Sequence, residues 1–307
     1  MRAHKTPYRI IDAFTDEAFA GNPAAVVLFD GDDRIEDVGL MQKLAIEYNL
    51  QETAFLRLQE PSDERSPRYR LRWFTPVQEF PLCGHATLAS SHYLLDEVHP
   101  DADRITFETM SGPLTAARRE PDLIELDFPA DDSAVAPAEA LDEATYSALM
   151  AQVNDELPAA IVAVRVAKLA VVVELTSDFN LADAKLDATC LATSSRYFVF
   201  TQICSGGAAH IYTRVLDGAE ACPEDPVTGS AHCVLAPYFL DSSTAANGRL
   251  LRQHPELARK QSDAPSSLRC RQGGPRRGQL EVEWRWRDGR VLLRGNAVTV
   301  MEGNIGL

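Results

Sequence analysis

The apolar positions of the chain fall mostly into short runs separated by turn residues, and only a few stretches keep helical spacing. Residues 8–14 alternate weakly, and residues 24–29 are a continuous apolar run after the turn Gly21-Asn22-Pro23, so both are predicted strands. Residues 37–48 place Val38, Met41, Leu44 and Ala45 on one face of a predicted helix. Asn49-Leu50-Gln51-Glu52-Thr53-Ala54-Phe55-Leu56 then leaves that helix for a strand, and residues 69–74 form another. Residues 59–68 are charged and rich in Ser and Pro, as in a solvated hairpin loop. Strands are predicted over 105–118 and 123–128, with a crossover near Pro129 and a linker over 131–137. A helix follows over 138–150. The β-branched run 161–175 reads as one or two buried strands, and 196–201 and 209–215 as two more. Residues 247–267 are polar without clear period, and 272–277 form a basic Gly-Pro turn. The last runs, 279–286, 290–294 and 297–301, read as strands.

Two stretches break the strand pattern in the same way. Phe80-Pro81-Leu82-Cys83-Gly84-His85-Ala86-Thr87-Leu88-Ala89 and Glu224-Asp225-Pro226-Val227-Thr228-Gly229-Ser230-Ala231-His232 each run from a proline turn through glycine into an apolar helix. Setting Gly84 on Gly229 also pairs Ala86 with Ala231, Tyr93 with Tyr238 and Leu95 with Leu240. The offset of 145 residues is about one domain's length, which points to two domains of like design, each built on a central helix. The first-turn N–H groups of such helices carry the positive end of the dipole and can hold a carboxylate or a developing oxyanion.

Composition narrows the partners. A chain of 307 residues with 45% hydrophobic residues is enough for about two domains with real cores. A net charge of −15 disfavours nucleic acid and anionic membrane surfaces. The N-terminus lacks the apolar core of a signal peptide, and no stretch is apolar for long enough to span a bilayer. Six scattered cysteines without a CxxC pair fit free thiols in a reducing cytoplasm rather than a disulfide framework or a metal site.

The chemistry-bearing candidates lie at the element boundaries. Glu52 sits where a helix yields to an apolar strand, a place where a partly desolvated carboxylate suits proton transfer. His85 is a candidate donor or proton carrier, and Cys83 is either a nucleophile or a small buried apolar residue. Asp225 is an acid/base group or the cap of the following helix, while Ser230 would contribute its backbone N–H. His232 reads as structural; His92, His210 and His254 show no ligand spacing. No dinucleotide fingerprint, phosphate loop, metal-ligand cluster or pyridoxal lysine is recognisable, so the expected chemistry is proton movement without cofactor or metal.

At these residues the chain resembles the PhzF family of phenazine biosynthesis-like proteins, which share the fold of diaminopimelate epimerase. The likeness is carried in order by Asp12-Ala13-Phe14-Thr15 with Gly21-Asn22-Pro23, by Asn49-Leu50-Gln51-Glu52-Thr53-Ala54-Phe55, by Arg72-Trp73-Phe74-Thr75-Pro76 with Leu82-Cys83-Gly84-His85-Ala86-Thr87, and by Glu224 to Cys233. It implies an α/β (α+β) chain of two pseudo-symmetric domains, each a curled, mostly antiparallel sheet around a central helix, with the site in the cleft between them. The expected division is 1–118 plus 297–307 against 119–296. The resemblance also implies a cofactor-independent isomerase and a homodimer acting on a small carboxylate, as in trans-2,3-dihydro-3-hydroxyanthranilate isomerisation. Glu52, His85 and Asp225 would move or place protons; Gly84, Gly229 and Ser230 would hold substrate. An amino-acid racemase or epimerase and a non-catalytic small-ligand-binding homologue are the alternatives. A symmetric thiol pair is disfavoured because the second loop has Asp225-Pro226 in place of a Cys-Gly step. Gln51 replaces the usual serine, and Leu216 to Cys222 lacks the usual Phe-Ala-Pro character, which leaves substrate identity to that segment.

Overall fold

A computed structural model describes residues 5–29, 33–120, 122–135, 141–151, 157–168, 170–191, 196–217, 223–258, 267–274 and 276–307. The chain divides into two compact units, 1–127 with 294–307 and 128–293. In chain order the first unit holds β1 (Lys5–Ala13), β2 (Asn22–Leu28), α1 (Val38–Tyr48), β3 (Glu52–Leu58), β4 (Arg68–Phe74), β5 (Glu79–Phe80), α2 (Gly84–Tyr93), β6 (Arg104–Thr109), β7 (Gly112–Glu120) and β8 (Leu123–Pro129). The second holds α3 (Glu143–Ala151), α4 (Leu157–Ala160), β9 (Ile161–Val166), β10 (Ala170–Leu175), β11 (Tyr197–Ile203), β12 (Ile211–Leu216), β13 (Glu224–Asp225), α5 (Gly229–Leu240), α6 (Ala245–Gln253), β14 (Ser267–Gln272), β15 (Gly278–Arg285) and β16 (Arg290–Gly295). The chain then returns to the first unit as β17 (Ala297–Gly306).

The first unit is a curled, mostly antiparallel sheet in the order β17–β1–β2–β3–β4–β6–β7–β8, with β5 also on β4. Its parallel pairs are β2–β3 and β4–β6. The second unit repeats that scheme as β9–β10–β11–β12–β14–β15, with β13 on β12 and parallel pairs β10–β11 and β12–β14. The internal duplication read from two helix starts therefore extends to the strand order of both units.

The seam differs from the sequence expectation. It falls at 127/128 and 293/294 rather than at 118/119 and 296/297, because β8 pairs antiparallel with β7 and keeps 119–127 in the first unit. Glu125 on β8 also receives Arg119 and Arg294, all within that unit. The run 161–175 is two strands. β10 is buried at every position, but β9 is half-exposed, so β-branched composition there does not mean full burial.

Each sheet needs a helix that can be buried all round. Every residue of α2 except His92 is buried, and every residue of α5 except Ser230. Small residues let α2 lie close across β1, β2, β3 and β17. Its two buried serines close on their own helix, Ser90 Oγ to Ala86 O at 2.7 Å and Ser91 Oγ to Thr87 O at 2.7 Å. By contrast α1 buries only the stripe Met41, Leu44 and Ala45 against Phe55 and Phe74, as its 3.6-residue spacing requires. Burying Met41 and Leu44 contributes roughly 1.5–3 kcal/mol each. Asp37 starts α1 by accepting the Leu40 N–H, and Asn49 ends it at φ 50°, which aims the chain into β3 at Glu52.

Candidate active site

Glu52 is the first residue of β3, paired in parallel with Ala24 of β2, and only 5% exposed. The sequence blocks around it build its support. Gly21 stands at φ 60°, where a Cβ would meet the Ala13 carbonyl oxygen at 2.2 Å, so no side chain fits the turn between β1 and β2. Gln42 of α1 donates Nε2 to Thr75 O at 2.9 Å, and the Thr75 hydroxyl accepts Val77 N–H at 3.0 Å, closing the turn between β4 and β5. Trp73 and Phe74 anchor the same turn in the core.

His85 lies in the first turn of α2, 5% exposed, with Nδ1 3.4 Å from Cys83 Sγ. Burial pushes its pKa down to about 3, so the ring is neutral at physiological pH. Its Nε2 has no hydrogen-bond partner among the described residues. Cys83 occupies the N-cap position of α2 in extended conformation and makes no side-chain cap.

In the second unit Asp225, Gly229 and Ser230 belong to one turn. Asp225 does not cap α5: Thr228 holds the N-cap position, and its hydroxyl donates to Asp225 Oδ2 at 2.5 Å instead of accepting a helix N–H. Both central helices thus begin without a side-chain cap. At the fourth position of each, a side chain donates to the cap carbonyl: Thr87 Oγ1 to Cys83 O at 2.5 Å, and His232 Nδ1 to Thr228 O at 2.8 Å. The Ser230 hydroxyl lies 3.4 Å from the Tyr197 hydroxyl.

Two supports escaped the sequence reading. Gln272 of β14 is fully buried, and its amide ties the Asp225 turn together. Oε1 accepts the Thr228 N–H at 3.0 Å, while Nε2 donates to Asp225 O and to Thr228 Oγ1, both at 2.8 Å. The next residue, Gly273, has φ 113°, and a Cβ there would lie 2.1 Å from Arg276 O and 2.8 Å from Pro226 O. Gln272→Leu is expected to strand the buried Thr228 N–H and cost about 1–3 kcal/mol. The urea midpoint checks the loss, and a turnover drop larger than the stability loss explains would show that the turn also orients Asp225.

The second support is a duplicated ion pair. Arg72 of β4 and Arg214 of β12 each grip a glutamate, Glu79 and Glu224, through Nε to Oε1 and Nη2 to Oε2, all at 2.7 Å. Nη1 of each also reaches backbone carbonyls, Ile35 O for Arg72 and Leu181 O and Ala184 O for Arg214. These forks fix the short strands β5 and β13 from which the helix loops depart. The link between the paired strands is three residues longer in the second unit, four residues from 75 to 78 against seven from 217 to 223. Within the longer link, 218–222 lie outside the described residues, as does most of the 216–222 segment singled out from the sequence.

His210 and His254, unremarkable by spacing, come together with Glu256. His254 Nδ1 lies 3.2 Å and His210 Nε2 3.7 Å from Glu256 Oε1. His210 Nδ1 accepts the Arg269 N–H at 3.0 Å, which leaves the proton on Nε2, and His254 Nε2 reaches Cys204 O at 2.8 Å. A metal needs a bare ring nitrogen, so the His210 tautomer opposes coordination. His254 is the ring that hydrogen-bonds Glu256 and Cys204 O, while His210 Nε2 stays beyond hydrogen-bond range of the carboxylate.

Buried neutral histidines set the acid limb of stability. Folded His85 and His232 titrate near 3 and 4, below the ordinary 6.5, because burial disfavours the charged ring. Their contribution is complete above pH 6.5 and is lost as pH falls, since the unfolded chain takes up the protons first. Each is worth up to about 1.4 kcal/mol per pH unit in that window. The urea midpoint is therefore expected to fall steadily from pH 6.5 to 4.5; a flat profile would contradict neutral buried rings.

Residues 11–303 match the family model described as phenazine biosynthesis-like protein. The chain belongs to the phenazine biosynthesis-like family. It is 36% identical over 322 residues to phenazine biosynthesis-like domain-containing protein 2 of Mus musculus, covering 98% of this chain and 99% of that one. It is 35% identical to an uncharacterized isomerase of Halalkalibacterium halodurans, with 98% of each chain covered. A crystal structure of a PhzF-family protein from Enterococcus faecalis superimposes with a TM-score of 0.76 at 30% identity, covering 99% of this chain and 100% of that chain. Among the described residues of this family member, no helix is long and apolar enough to cross a membrane.

Proposed function

We propose that this family member is an isomerase that moves a proton on a small cyclic or amino-acid-like carboxylate, with trans-2,3-dihydro-3-hydroxyanthranilate as the model substrate. The observation that carries the reading is the placement of three acid/base side chains at element starts. Glu52 is buried at the head of β3, and His85 and Asp225 flank helices whose first turns carry no side-chain cap. That the Halalkalibacterium relative is named an uncharacterized isomerase supports the reaction class.

In this reading Glu52 takes a proton from carbon and returns it, a role that suits a carboxylate held out of water. His85 and Asp225 position the substrate and the charge that develops on it. First-turn N–H groups at Gly84, Gly229 and Ser230 hold its carboxylate or oxyanion. The side chains named supply acid, base and donor, so the reaction is written without cofactor or metal. The protein is further proposed to act as a cytoplasmic homodimer. Turnover of the model substrate followed by absorbance, with sedimentation at working concentration, tests both parts. Full turnover by a Glu52→Gln variant would sink the assigned base.

A further inference from the structure

We infer that the Cys83 thiol sets the tautomer of His85, leaving His85 Nε2–H as a fixed, neutral hydrogen-bond donor for an anionic oxygen of the substrate. The inference rests on the reading of His85 as part of the proton-transfer site.

The geometry starts from Cys83. At the N-cap position its side chain makes no cap hydrogen bond, and its Sγ lies 3.4 Å from His85 Nδ1, with both residues buried. Three proton arrangements fit that contact. A thiolate–imidazolium pair would place a cation in a buried site at the positive end of a helix dipole, which opposes it twice. An Nδ1–H donor would face a thiol sulfur, a weak acceptor. A thiol S–H donated to Nδ1 uses the better acceptor and keeps both groups neutral. The remaining ring proton then sits on Nε2.

That Nε2 is buried and has no partner among the described residues. Buried N–H groups are nearly always satisfied, so an orphan beside an uncapped helix start marks a place where a ligand oxygen completes the bond. His232 in α5 shows the opposite arrangement, with Nδ1–H given to Thr228 O and Nε2 left as the bare nitrogen. The two central helices therefore present rings of opposite tautomer. A neutral donor polarises an enolate-like or carboxylate oxygen without passing a proton through itself, so His85 acts as an electrophile and Glu52 alone carries the carbon proton. With its titration pushed to about 3, the ring also stays uncharged across the working range.

Nitrogen-15 NMR of histidine-labelled protein reads the tautomer directly, without substrate. His85 is expected to show only the Nε2–H form from pH 5 to 8 in the wild type and in Cys83→Ser, whose hydroxyl replaces the donor. Cys83→Ala is expected to average the two neutral tautomers and to lower kcat/KM about tenfold, with Cys83→Ser restoring both. An Nδ1–H or imidazolium signal in the wild type would overturn the inference, as would a Cys83→Ala protein with unchanged tautomer and turnover. If Cys83→Ala does not fold, the wild-type and Cys83→Ser spectra decide alone. An Nε2–H signal together with a fully active Glu52→Gln variant would leave the tautomer lock standing and remove only the proton-transfer reading.

Discussion

Glu52→Gln is expected to lower kcat on the model substrate by about 100-fold or more, while KM and thermal midpoint stay close to wild type. The amide keeps the size of the carboxylate and its ability to accept a hydrogen bond at the head of β3, but it cannot take a proton from carbon. The position matters as much as the group. Glu52 pairs with Ala24 on one side, follows the left-handed Asn49 cap, and is 5% exposed. A surface glutamate in the same loop would have no reason to be basic only toward a bound ligand. Steady-state kinetics beside a thermal melt separates lost chemistry from lost folding. A variant with wild-type kcat would reassign the base.

The largest effect on stability is expected at Arg249. Glu174 of β10 is 1% exposed and is held by Arg249 Nε at 2.7 Å, by Arg249 Nη2, and by the Tyr238 hydroxyl at 2.5 Å. These bonds fasten α5 and α6 to the middle of the second sheet. Arg249→Leu leaves a buried carboxylate without its cation and is expected to cost about 3–5 kcal/mol. The double variant Glu174→Leu with Arg249→Leu removes the stranded charge and is expected to recover part of that loss. Urea unfolding of both proteins checks the pair; a single variant within about 0.5 kcal/mol of wild type would show the bridge to be marginal, as exposed pairs usually are.

Much of this fold was legible because its strands are short apolar runs bounded by turn residues. β2, β3, β4, α1 and the two central helices lie where the apolar runs and turn residues placed them, but Val38, read onto the α1 stripe, is exposed, since it stands at the first position of the helix. What escaped the sequence did so for physical reasons. The α6 helix carries only Ala246, Asn247 and Leu250 inward, and its start depends on Thr244 accepting the Asn247 N–H, so the run reads as polar loop. The matched Arg–Glu forks lie outside the aligned helices, and three extra residues in one link hide their correspondence. Gln272 has no local signature at all; β14 carries it beside Thr213 of β12 and so to the Asp225 turn. His210 and His254 meet through tertiary packing across 44 positions, which no spacing rule detects. For Asp225 the sequence left a helix cap and an acid/base group open; the proline turn hands the cap position to Thr228, whose hydroxyl donates to the Asp225 carboxylate.

The most direct test of the central claim is proton NMR of trans-2,3-dihydro-3-hydroxyanthranilate in D2O with the purified chain, run beside Glu52→Gln. The expected result is conversion by the wild type, without added cofactor, with solvent deuterium entering the product, and neither conversion nor deuterium uptake in the variant. Conversion and deuterium uptake by Glu52→Gln at the wild-type rate would contradict the account.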